Sequence, residues 1–128
     1  MWAVRDLALS VLARHPIPRH HVLGHSDVAP LRKEDPGELF DWAWLAGEGV
    51  GLWPTPRPCQ WSDADFLSVL EGYGYDLQGP KGTDTGSAQR AAIVAFERHF
   101  RPARMAGEPD DELKAVLNGL IDTARRSA

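Results

Sequence analysis

The chain has 128 residues, 43% of them hydrophobic and 25% charged, which suits one ordinary globular domain or two small ones and argues against extended disorder. A formal charge of −4 leaves no excess of lysine and arginine to neutralise phosphates, so nucleic acid is set aside as a partner. The single cysteine, Cys59, forms no internal disulfide, no C-x-x-C spacing exists, and no apolar run approaches the roughly 20 residues of a transmembrane segment.

Val4, Leu7, Ala8, Val11 and Leu12 recur at helical spacing and the pattern stops before Pro16 and Pro18, which predicts one amphipathic helix ending near Arg14. Arg5 and Asp6 interrupt it as a signal-peptide core. "HVLGH" is short, apolar and β-branched at its start, so a buried strand is expected from His21 to His25. Ser26 to Gly37 are turn formers and charges, a loop leaving the C-terminal end of that strand, where open α/β sheets place ligand sites. A short helix follows, with Phe40, Ala43, Trp44 and Gly47 on one face and Gly47 to Gly51 ending it.

"WPTPRPC" places three prolines within five residues, a stiff connector that marks a domain boundary near residue 57. Three helices are expected beyond it. The first runs from Ser62 to Glu71, opening on an N-cap serine with Asp65 three residues later, and the second from Ser87 to Phe100. The third, Pro109 to Arg125, carries Leu113, Val116, Leu117, Leu120, Ile121 and Ala124 as one apolar stripe, with acids at its start and arginines at its end. The expected architecture is therefore a partial α/β lobe over 1–57 followed by a small all-α three-helix bundle over 58–128, mostly helical overall.

The stretch "GHSDVAPLRKEDPG" holds the candidate chemistry. His25 and Asp35 converge if the loop folds back, as Pro30, Pro36 and Gly37 permit. Imidazole nitrogen and carboxylate oxygen bind zinc at about 2.0 to 2.2 Å, and catalytic zinc sites use three protein ligands plus a water. Lys33 would be aimed at the same point, where its charge stabilises an oxyanion. The same residue types also suit a solvated loop in which Lys33 and Asp35 form a loose surface pair, and spacing alone leaves both readings open.

The run "GHSDVAPLRKEDPGELFDW", followed by "GVGLWP", resembles the zinc-ligand loop of the N-acetylmuramoyl-L-alanine amidases of the type 2 amidase family, in the branch that includes lipoprotein and anhydro-muropeptide amidases. The resemblance implies an α/β amidase domain, a Zn2+ cofactor, and hydrolysis of the amide joining N-acetylmuramic acid to L-alanine in peptidoglycan or muropeptides. It makes His25 and Asp35 zinc ligands and Lys33 the catalytic lysine. The family's first zinc histidine and a water-activating glutamate have no matching positions, so the chain reads as N-terminally truncated and inactive alone. His21 would stand roughly 13 Å from His25 along a strand, too far to share a tetrahedral ion. His20 would face the other way, no motif supports His15, and His99 belongs to the bundle.

"VLEGYGYDL", "QRAAIVAFERHFRP" and "GEPDDELKAVLNGL" are similar to the peptidoglycan-binding helical module of the lipoprotein branch. Tyr73 and Tyr75 are the candidate substrate-binding residues, by stacking on a sugar face, with packing at the bundle edge as the alternative. Phe96 and Phe100, four apart, are expected in the core, and Trp44 and Trp53 between the lobes. The periplasm or cell envelope is the expected compartment, with the cytoplasm open. The competing functional reading is a non-catalytic wall-binding protein built on a decayed amidase lobe.

Overall fold

The computed structural model describes residues 1–127. Helix α1 spans Trp2–Arg14, a single 3₁₀ turn Arg19–His21, α2 His25–Val28, α3 Trp42–Gly47, α4 Asp63–Tyr73, α5 Thr85–Phe100 and α6 Asp111–Arg126. The predicted helices all form, within two or three residues of their expected ends.

The expected strand does not. No strand exists among the described residues, which overturns the α/β reading of the first lobe: the observed fold is helical throughout. An isolated strand of five residues leaves its N–H and C=O groups without a ladder, and the described residues hold no second strand to pair with it. The segment closes its hydrogen bonds locally instead. His21 N–H donates to Pro18 O at 2.9 Å, and Ala29 N–H to His25 O at 2.9 Å. The Arg19 guanidinium pins the 3₁₀ turn to the end of α3, donating to Ala46 O at 2.9 Å and Gly51 O at 3.0 Å.

A small apolar cluster of Trp42, Leu45 and Val50, with Ala8, Leu12, Val22, Phe40 and Trp44 against it, joins α1 to α3. Trp44 meets Trp2 edge-on at 5.3 Å, and Arg5, stacked over Trp2, bridges to Glu48 at 2.7 Å.

The larger core lies among α4, α5 and α6, where Phe66, Leu70, Phe96, Leu113, Leu117 and Leu120 are wholly enclosed. Each contributes about 1.5 to 3 kcal/mol on leaving water. Phe96 and Phe100 sit there together, ring centres 5.1 Å apart. Side chains set the helix starts. Ser62 and Asp65 form a reciprocal capping box at α4, Asp84 accepts from Ser87 N–H at 2.9 Å at α5, and Asp110 from Leu113 N–H at 2.8 Å at α6.

Buried Glu97 ties the end of α5 to the loop beyond it. Its carboxylate accepts from Arg101 at 2.6 Å, Ala106 N–H at 3.0 Å and Gly107 N–H at 2.7 Å, and Arg101 reaches on to Asp110 at 2.6 Å. The proline-rich connector is likewise held down. Arg57 N–H donates to Ala115 O at 2.9 Å, Asn118 Nδ2 donates to Arg57 O at 2.9 Å, and Thr55 lies so close to Gly119 that α6 has no room there for a Cβ.

Candidate metal and catalytic site

The loop after α2 turns back on itself. Arg32 and Lys33 N–H both donate to Ala29 O at 3.0 Å, and Ser26 N–H donates to Asp35 O at 3.0 Å, which lays the residues beside Asp35 against the first turn of α2. The reversal brings His25 Nδ1 to 3.1 Å from Asp35 Oδ2, with both side chains more than half exposed. Asp35 is thus paired with His25 and not with Lys33, which stands exposed on the same loop.

This spacing suits a shared ion. Two donors about 2.05 Å from a tetrahedral centre lie about 3.3 Å apart. The pair therefore fits two corners of a zinc site. Among the described residues no group of three His, Cys, Asp or Glu side chains is placed to hold a metal, so the third corner is not filled by His15, His20, His21 or His99. The His20 and His21 rings pack edge-on at 4.2 Å beside a 200 Å³ cavity that Tyr73 and Asp27 also line.

Tyr75 is buried, its hydroxyl donating to Asp27 Oδ1 at 2.5 Å. Tyr73 is half-buried, its ring 6.4 Å from that of Tyr75. Burial, reinforced by the Asp27 charge, pushes the Tyr73 phenol up to about 12 and the Tyr75 phenol well above its usual value of 10.0. A cleft of about 410 Å³ lies between residues 28–32, at the end of α2 and the start of the loop after it, and Asp76, Gly79 and Pro80 of the turn after α4.

Two residues of the site region had no functional reading in the sequence. Asp27, only 4% exposed, accepts hydrogen bonds from Gly24 N–H at 2.9 Å and from His99 Nδ1 at 2.7 Å besides Tyr75. The first of these is a local contact across three residues, in which Asp27 in the first turn of α2 reaches back to the amide of the residue before the helix. His99, 72 residues away, carried none. Trp53 packs between the two portions as expected, tilted against Phe100 at 6.1 Å, and Trp42 does so too, stacked on His99 at 3.9 Å, whereas Trp44 packs on α1.

The reversed loop thus brings a histidine and a carboxylate together, with an exposed lysine on the same loop. The chain is a homologue of the N-acetylmuramoyl-L-alanine amidases. It is 37% identical to the N-acetylmuramoyl-L-alanine amidase AmiD of Escherichia coli K12 over 131 aligned positions, 94% of this chain and 46% of that protein. The structure of the E. coli AmiD complex with anhydro-N-acetylmuramic acid-L-Ala-D-gamma-Glu-L-Lys superposes with a TM-score of 0.81 at 38% identity, covering 94% of this chain and 50% of the other. The AmpDh3 structure from Pseudomonas aeruginosa in complex with anhydromuramic pentapeptide gives 0.82 at 33% identity, covering 98% and 52%. The chain thus spans about half the length of the relatives it matches. No protein-family profile matches it.

Proposed function

We propose that this chain carries the lysine and two of the zinc ligands of an N-acetylmuramoyl-L-alanine amidase, which cleaves the amide between N-acetylmuramic acid and L-alanine in peptidoglycan or anhydro-muropeptides. The observation that carries the reading is the approach of His25 Nδ1 to Asp35 Oδ2 at 3.1 Å across ten residues of chain. The similarity to two amidase complexes with anhydro-muramyl peptides supports the choice of substrate class.

In this reading His25 and Asp35 hold Zn2+, which when bound polarises the scissile carbonyl and acidifies a water. Lys33 places a positive charge where the tetrahedral oxyanion forms, on a loop whose reversal is fixed by the Ala29 and Asp35 carbonyls. The exposure of all three side chains leaves them accessible to a polymeric substrate. Residues 1–57 are the amidase portion and 58–128 the helical module, with Tyr73 and Tyr75 at the edge of that module facing the first portion. The cell envelope or periplasm, where peptidoglycan lies, is the proposed compartment. No helix among the described residues is long and apolar enough to cross a membrane.

With two protein donors the chain alone binds zinc weakly and turns over little or no substrate. The test is a chimera in which the part of E. coli AmiD preceding the aligned region is joined to this chain and assayed for release of free peptide from anhydro-muropeptide. Activity that falls at least 100-fold in Lys33→Ala, with zinc content unchanged, supports the assignment. A folded, zinc-loaded chimera without activity, or one indifferent to Lys33→Ala, overturns it in favour of a wall-binding role.

A further inference from the structure

The helical half does more than stand beside the ligand loop. Asp27 lies two residues beyond His25, is almost fully enclosed, and draws its three donors from segments far apart in the chain: Gly24, Tyr75 and His99. Its carboxylate accepts only, so the partner nitrogen of His99 carries the proton. A four-residue helix such as α2 has too few internal bonds to nucleate by itself. What fixes it is Asp27, clamped to the Gly24 amide on one side and to His99 and Tyr75 on the other. Gly24 is wedged as well. A Cβ there would come within 2.7 Å of Pro36 and 3.3 Å of Trp42, and Trp42 is the ring stacked on His99. The residue before one candidate ligand and the residue after the other are therefore pressed together against a platform anchored on α5.

We propose that His99, with Tyr75, is a positioning residue of the metal site: through Asp27 it sets the direction in which His25 leaves the backbone, and through Trp42 and Gly24 it sets the approach of Asp35. The inference rests on the reading of His25 and Asp35 as zinc ligands, and it makes the helical module part of the amidase site's framework as well as an appended domain. Groups that orient metal ligands from outside the coordination sphere typically alter metal affinity 10- to 100-fold, about the effect expected here.

The test uses the whole 128-residue chain and three variants. His99→Phe keeps a ring for the stack and removes the donor, Tyr75→Phe removes one hydroxyl, and His99→Asn restores a donor at the Nδ1 position. Each is titrated with Zn2+ while the His25 ring resonances are followed by NMR, below its melting temperature. His99→Phe and Tyr75→Phe should shift the His25 ring signals of the zinc-free protein and weaken zinc binding by about tenfold or more, with His99→Asn recovering most of both. A purely structural role would lower thermal stability and leave the His25 signals and the zinc affinity of the folded fraction unchanged, and that result overturns the proposal. Should the parent chain take up no zinc, the ligand reading fails, while the zinc-free His25 signals of the variants still decide the positioning claim. Should His99→Phe not fold, Tyr75→Phe, which loses a single oxygen, decides it.

Discussion

Glu97→Gln isolates the interaction that locks α5 to the loop before α6. The glutamate is fully enclosed, and its two oxygens accept from the Arg101 guanidinium and two backbone amides. Glutamine keeps the shape but offers one acceptor and turns an NH2 toward groups that are themselves donors. Removing one member of a buried ion pair costs about 3 to 5 kcal/mol. Arg101 keeps Asp110 at 2.6 Å and Glu112 at 3.3 Å, which places the loss at the lower end, about 3 kcal/mol. With an unfolding entropy of about 2.1 cal/mol/K per residue, 128 residues give about 0.27 kcal/mol/K, so the melting temperature should fall by about 11 °C. Differential scanning calorimetry at neutral pH measures this directly. A fall of less than about 4 °C, equivalent to about 1 kcal/mol, would refute the enclosed ion pair as the organiser of this corner.

Further outcomes follow from the same contacts. Gly119→Ala should destabilise strongly or prevent folding, because its Cβ would collide with the Thr55 backbone, whereas Gly72→Ala, with open space around it, should cost little; urea denaturation compares them. Burial pushes the Asp110 carboxyl up, but hydrogen bonds from Arg101 and Leu113 N–H outweigh it and hold the group below its ordinary 3.8. That stabilisation is present above pH 3.8 and is lost as pH falls through the lowered folded value, so Asp110→Asn, which can still cap α6, should narrow its stability gap to the parent only in acid. At the alkaline end the sign reverses. Tyr73 and Tyr75, the only two tyrosines, keep their protons in the fold to a higher pH than in the unfolded chain, so stability should decline from about pH 10 upward, and tyrosinate absorbance should rise together with unfolding.

The helices were readable because their determinants are local. Ser62 with Asp65, and the stripe from Leu113 to Ala124 bracketed by acids and arginines, place cap, face and terminus within a few residues of each other. The strand at His21 to His25 failed for the opposite reason: an apolar β-branched run becomes a strand only with a partner, and no partner strand lies among the described residues. The convergence of His25 on Asp35 was foreseeable from the prolines and glycine that let the loop reverse. The burial of Asp27 was not, since its partners lie 48 and 72 residues away and no short pattern links an aspartate in a loop to a histidine near a helix end. The tryptophans divided similarly: which of Trp42 and Trp44 faces the second half depends on where α3 begins, and it begins at Trp42 itself.

The most direct test of the account is a zinc-edge anomalous difference map from crystals of this chain soaked in millimolar Zn2+. The account predicts a peak bonded to both His25 Nδ1 and Asp35 Oδ2, at about 2.0 to 2.2 Å from each. A map in which zinc occupies other surface sites while His25 and Asp35 remain a bare hydrogen-bonded pair would contradict it.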